Sequence, residues 1–446
     1  MHVKRLPGEC FVRDTAFAII GAVTPQTAPA ALADIRVLDL AGEIGQYCTK
    51  LLADLGADVI KIEPPGGDPV RHLPPYYHDE EGEQTSLYWL NLNTNKRSVT
   101  LDIENAEDRT TFEKLVATAD VVVETFDPGY LDGLGLGYEG LAKIRPDVIL
   151  TSITGFGQNG PHAHYKAPDI VGVAMGGIMW LAGDPQDPPN VPPCKQGYIC
   201  ASIHAAGGTL TALYHRDVTS EGQHVDVSMQ ESLSIAQETA MQSWDMIEAL
   251  RVRNAHRGII PLDVPGIGPY ECTDGWVFGY VGSPAGATWA DLLAWMFEEG
   301  KAEDLADEPY KSFCGGLNLR FLTTFTQDPS TIPQKMQMMS HINEVLRRFV
   351  KTKGKWDMYE QAQGRRLLFG IVSTPEDIVK NPQLVYRRWL TPVEHPELDT
   401  TLEYPGAPYR FSETPWAIRR RPPERGQHTR ELKLEAEVEA NRRETA

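Results

Sequence analysis

Ile35–Glu63 reads IRVLDLAGEIGQYCTKLLADLGADVIKIE, and the order of its patterns decides the fold. Ile35–Leu40 is an apolar run with β-branched character, as expected of a strand buried in a parallel sheet. Cys48–Leu55 is helical in composition, with Leu51, Leu52 and Leu55 on one face and Gly56 placed to cap its end. Val59–Glu63 is a second strand. Together they predict one βαβ unit with a right-handed crossover. Working outward, strands fit at Val99–Asp102, Val121–Glu124 and Val148–Ile153, with a helix near Ala106–Ala119. This alternation implies an α/β fold, a Rossmann-like doubly wound parallel sheet that receives ligands at the carboxyl ends of its strands. The turn Ala41-Gly42-Glu43-Ile44-Gly45 lacks the third glycine of a dinucleotide fingerprint, which disfavours nicotinamide cofactors. A glycine turn opening a helix can still cradle a phosphate.

The remaining chain divides by composition. Residues 1–33 form an N-terminal extension and 34–253 the large α/β domain. A smaller α+β domain is expected over 254–325, where Pro265-Gly266-Ile267-Gly268-Pro269 punctuates the chain and Asp274-Gly275 suits a hairpin. Residues 326–430 are expected to return to the large domain, with short strands and turns over Ile371–Ser412. Residues 431–446 read as a polar, charged helix or a frayed tail. No internal repeat is found.

The 446 residues carry a formal net charge of −19, which argues against general binding to nucleic acid or anionic membranes. An anionic ligand must therefore meet local cations. The six cysteines are scattered without a CxxC pair, so neither a zinc site nor a disulfide framework is indicated, and a cytoplasmic setting fits. Ala16–Val23, after Lys4, Arg5 and Arg13, weakly imitates a signal peptide, but Asp14 interrupts the basic region. No apolar run reaches the length of a membrane helix.

Several further blocks recur in a recognisable order. They are Leu51–Glu63, Pro65-Gly66-Gly67-Asp68 with Arg71, Asn93–Ser98 (NTNKRS), Val121–Gly137 and Ser152–Gly157 (SITGFG). Gly222–Ser228 (GQHVDVS) and Val393–Ser412 complete the series. In this order, from Ile35 to about Thr429, the chain resembles the family III CoA-transferases. The resemblance implies an α/β domain with a smaller domain, paired as an interlocked-ring dimer, and coenzyme A or an acyl-CoA as substrate. It implies no metal. Carried over by position, Gly42 and Glu43 lie beside CoA, Leu101 and Asp102 flank the adenine, Thr125 and Phe126 line the path, and Lys166 contacts the cofactor. CoA is a polyanion, so a local cation is physically sensible. The neighbouring Lys96-Arg97 is either a further CoA contact or a solvated turn.

Catalysis in that family uses an aspartate as a covalent nucleophile, shortly before a helix reading A-A-x-G-x-x-x-A-L-x-H. Here that helix is Ala205–His215, and counting back from Gly208 puts Tyr198 at the nucleophile's position. A phenol cannot hold CoA as an acyl-type thioester. Asp184 and Asp187 lie upstream and would serve only after a register slip. Asp169 matches a second acidic position of the family, or else caps the helix beginning at Ile170. Glu43 stands where the family often has glutamine, facing CoA or solvent. The racemases of this fold need a His and an Asp where this chain has Pro168 and Tyr198, so racemase chemistry is disfavoured. His162, His164 and His204 read as exposed or structural. For the loop that closes over the family's site, Gly266-Ile267-Gly268 is the nearest candidate.

Three readings follow. The first is the non-nucleophilic subunit of a heteromer, as in family members resembling benzylsuccinate CoA-transferase. The second is a self-sufficient homodimer using another acid, and the third a CoA-binding pseudoenzyme. Acyl-CoA and a carboxylic acid are the implied substrates, and a homologous subunit or a second copy the implied partner.

Overall fold

The computed structural model describes residues 29–254, 263–282, 286–318, 321 and 324–444. The N-terminal signal-like run falls outside them. Six parallel strands make the central sheet: β1 (Arg36–Leu40), β2 (Asp58–Glu63), β3 (Arg97–Thr100), β4 (Val121–Glu124), β5 (Ile149–Thr154) and β6 (His224–Ser228). Their order is β3-β2-β1-β4-β5-β6, so the winding reverses between β1 and β4. At such a reversal the loops leaving two adjacent strands diverge and open a crevice.

Side chains alternate across the sheet. Val37, Val59, Val121, Val123, Ile149 and Ile153 pack one face against the helices Gln46–Asp54 and Gln196–Thr219. Leu38, Ile60, Ile62, Val99, Val122 and Leu150 pack the other against the helix Ala106–Val116 and the C-terminal helix Thr429–Glu444. That last helix is more than a polar tail. Leu432 and Ala436 are buried against the sheet layer, and Glu431 and Glu435 pair with Arg97.

The second core surrounds the antiparallel sheet of β7 (Ile267–Glu271), β8 (Trp276–Tyr280) and β9 (Phe369–Ile371). Asp274-Gly275 forms the β7–β8 turn as expected, with Gly275 at φ +153°. The helix Ile332–Val350, which the sequence reading placed in the first body, buries Ile342, Val345, Leu346 and Phe349 here. The second core thus continues to Phe369, beyond the expected boundary at 325. The error has a simple origin, since an amphipathic helix shows which face it buries and not which core receives it. Beyond it, β10 (Leu390–His395) and β11 (Thr400–Pro405) form a hairpin whose Val393 and Tyr404 pack with Leu90 of the first body.

Candidate active site

The crevice at the β1–β4 reversal is built from two loops. Gly42 N–H donates to Thr125 Oγ1 at 2.7 Å, tying the loop after β1 to the residue after β4. A Cβ at Gly45 would stand 2.7 Å from Thr125 Cγ2 and 2.9 Å from that of Ala41, so only glycine allows this approach. The long helix supports the same loop from below, where Ser202 Oγ donates to Ile44 O at 2.8 Å. The resulting cleft is lined by Ile44, Thr125, Phe126, Lys166, Ala167 and Tyr198. Four residues chosen from sequence, Thr125, Phe126, Lys166 and Tyr198, therefore converge on one cavity.

Tyr198 lies in the first turn of the helix Gln196–Thr219, which starts well before the Ala205–His215 stretch recognised in the sequence. Burial pushes its phenol above the ordinary range, and the Glu43 carboxylate adds to the shift, so it is neutral at pH 7. Its backbone N–H donates to Asp169 Oδ1 at 3.1 Å. Asp169 is the first residue of its own helix, Asp169–Met175, and makes no cap there. The capping role foreseen for it belongs instead to the head of the long helix, a contact across the fold. Glu43 forms an ion pair with Lys195, the residue immediately before the long helix. The Lys195 ammonium also stands 4.7 Å from the centre of the Tyr88 ring. Burial works against this ammonium, but Glu43 outweighs it and raises the pKa.

The proposed cofactor path is only partly assembled in one place. Phe126 and Tyr130 pack with ring centres 4.6 Å apart. Lys166 pairs with Asp127 at 2.6 Å, both side chains more than two-thirds exposed at 79% and 72%, so the lysine can readily change partners. Leu101 is buried in the core with Phe126 packed against the same cluster. The Asp102 carboxylate is engaged locally by Glu104 N–H at 3.0 Å. Neither Leu101 nor Asp102 lines the cleft.

Other expectations need correction. Lys96 is fully buried and donates to Asp39, Thr49 and Asn93, while Arg97 is held by Asp58, Glu431 and Glu435. Both are buried and paired within the fold, so they are not a solvated turn. Gly266 and Ile267 enter β7 in the second core, with a Cβ at Gly266 only 2.8 Å from that of Val281, so this segment is packed into that core. Asp184 and Asp187 do not line the cleft, and His162, His164 and His204 are exposed. Among the described residues no cluster of three or more metal-ligating side chains occurs, and no helix is long and apolar enough to cross a membrane.

The family model described as CoA-transferase family III matches residues 32–429. The chain belongs to CoA-transferase family III. It is 35% identical over 405 residues to the succinyl-CoA:(R)-benzylsuccinate CoA-transferase subunit BbsE of Thauera aromatica, covering 90% of this chain and 93% of that protein. A succinyl-CoA:mesaconate CoA-transferase of Haloarcula hispanica is 33% identical, covering 92% and 97%. Among solved structures, a CAIB/BAIF family protein from Brucella suis superimposes with a TM-score of 0.77 at 26% identity, covering 92% of this chain and all of that one. The family III fold thus explains the sheet order and the crevice, and CoA transfer is the chemistry of the relatives.

Within this family III site the sequence reading passed over Lys195, Asp127 and Glu124. Glu124 ends β4, next to the cleft residues Thr125 and Phe126, and its carboxylate accepts from Phe126 N–H at 2.6 Å. Burial pushes its pKa up to about 7, against a hydrogen bond from Ser152. A cavity lined by Glu124, Asp132, Ser152 and His224 lies beside it. Because the folded pKa exceeds the unfolded value, the folded protein keeps a proton that the unfolded chain releases between about pH 4.5 and about pH 7. Stability from this group falls as pH rises through that window. Glu124→Gln is therefore expected to stabilise the protein by about 1–3 kcal/mol near pH 8.5, with little effect at pH 4.5 or below. Urea denaturation of both proteins across this range reads the difference, and a pH-independent gap would rule out titration of Glu124 as its source.

A larger cleft, about 710 Å³, lies elsewhere, between Arg387, Trp389, Arg410 and Trp416. It contains none of the sequence-predicted residues, so volume alone is a poor guide to this site.

Proposed function

We propose that the chain is the non-nucleophilic subunit of a family III CoA-transferase. It binds an acyl-CoA at the β1–β4 crevice, and a homologous subunit supplies the aspartate. The observation that carries this reading is the neutral phenol of Tyr198 at the head of the long helix. A carboxylate can attack a thioester to form an anhydride and then hold CoA as a thioester, and a phenol cannot complete that cycle. The subunit designation of BbsE supports a heteromer, and the names of several relatives support succinyl-CoA as donor to a carboxylic acid acceptor. Gly42, Glu43, Thr125, Phe126 and Lys166 would hold the cofactor's arm and phosphates, with Leu101 and Asp102 towards the adenine. The two subunits would interlock as rings in the cytoplasm, where CoA thioesters are available.

One observation favours a second reading, a self-sufficient enzyme. The Glu43 carboxylate reaches the same helix head and adds to the shift of Tyr198, so an acid is present at the site. Intact-mass spectrometry after incubation with succinyl-CoA separates the two. The purified chain alone should gain no CoA-sized adduct, and the adduct should form on the homologous partner when both are present. An adduct on this chain alone, mapped to Glu43 after hydroxylamine treatment, would overturn the heteromeric reading.

A further inference from the structure

The loop that delivers Lys195 is held in an unusual conformation. Cys194 and Lys195 both occupy the left-handed region, at φ +67° and +46°, although neither is glycine. Each such residue costs about 1–3 kcal/mol and persists only where the surroundings impose it. The consequence here is directional. The turn sends the Lys195 side chain across to Glu43 on the β1 loop and over the Tyr88 ring. It thereby brings a cation to the head of the helix that carries Tyr198.

This cation is accessible. The Lys195 and Glu43 side chains are 35% and 25% exposed, partly buried yet open to exchange. The other lysine of the site, Lys166, is paired with Asp127, and both of those residues line the cleft. A polyanionic cofactor and a free carboxylate on its acyl group need separate cations, because one ammonium cannot neutralise both. Lys166 lines the cleft, and Lys195 lies close enough to act on Tyr198, which lines it too.

We propose that Lys195 is the specificity-determining residue that reads the free carboxylate of a dicarboxylic acyl group, exchanging Glu43 for it on binding. The inference rests on the CoA site described above and is independent of which subunit carries the nucleophile. The exchange is between like partners. Lys195 keeps one carboxylate throughout, and Glu43 swings off the ammonium when the acyl carboxylate arrives. The net gain is therefore less than a full buried ion pair. An acyl group ending in methyl cannot drive the exchange and meets an intact Glu43–Lys195 pair.

The test uses non-reacting thioethers, so recognition is separated from chemistry. S-(3-carboxypropyl)-CoA and S-butyl-CoA have the same chain length and differ only in the terminal carboxylate. Calorimetric titration of the full chain should give tighter binding of the carboxylated analogue by about tenfold. Lys195→Met should collapse that ratio towards one while still taking up S-butyl-CoA, and Lys195→Arg should retain most of it. Glu43→Gln removes the competing carboxylate and should raise the ratio above wild type. A preference that survives in Lys195→Met overturns the proposal, as does a wild type that binds both analogues equally. Failure of the wild type to bind either analogue overturns the CoA site itself, and this inference with it.

Discussion

Tyr198→Asp is expected to give the chain a covalent CoA adduct that the wild type lacks. The new carboxylate would sit in the first turn of the long helix, where the free N–H groups and the helix dipole favour a negative charge. Two neighbours oppose it. Asp169 already accepts from the backbone N–H of residue 198, and Glu43 contributes a second negative charge. Lys195 partly offsets these, because it lies close enough to act on the group at position 198. The nucleophile should therefore be ionised at neutral pH. Single-turnover assays with succinyl-CoA should show acyl release with a rate gain on the order of 10³-fold over the wild-type background. A variant that binds CoA normally and forms no adduct would show that position 198 does not point at the thioester.

Lys96→Met is expected to be among the most destabilising single changes in the protein. Asp39, Lys61, Asp68 and Lys96 form a buried group with balanced charge beneath the β1 loop. Burial raises the pKa of Asp39, but the two lysines outweigh it and keep the carboxylate ionised. Removing Lys96 leaves one uncompensated buried charge, at a cost of about 3–5 kcal/mol. The change should also loosen the site, because Asp39 accepts from Ala41 N–H and Lys61 donates to Ala41 O, at the root of the loop that carries Gly42 and Glu43. Denaturant unfolding of Lys96→Met, Asp39→Asn and the double variant reads the coupling. The double variant should recover more than half of the loss, since the Lys61–Asp68 pair remains. A Lys96→Met protein of wild-type stability that bound CoA weakly would instead restore the phosphate-contact reading of this lysine.

The two cases show where local sequence carries information and where it does not. The apolar runs Ile35–Leu40 and Val59–Glu63 encode strands buried on both faces, and the strand at Val121–Glu124 has the bounds expected of it. Asp39 and Lys61 interrupt those same runs, and a charge inside a buried strand is itself a signal that an opposite charge lies on a neighbouring one. The signal does not say which neighbour. Lys96 looked like part of a turn facing solvent because its partner, Asp39, lies on a different strand.

The sequence alone determined the α/β class, the βαβ opening and the family, because each rests on residues close in the chain or on an ordered set of blocks. Only the tertiary structure decided that Asp169 caps a helix other than its own, that Ile332–Val350 belongs to the second core, and that Lys195 faces Glu43 across 152 positions of sequence. The physical reason is the same in each case. Periodicity and turn chemistry act over a few residues and state which groups must be buried or bonded. The choice of partner is settled when the parallel sheet brings distant loops together at the ends of its strands.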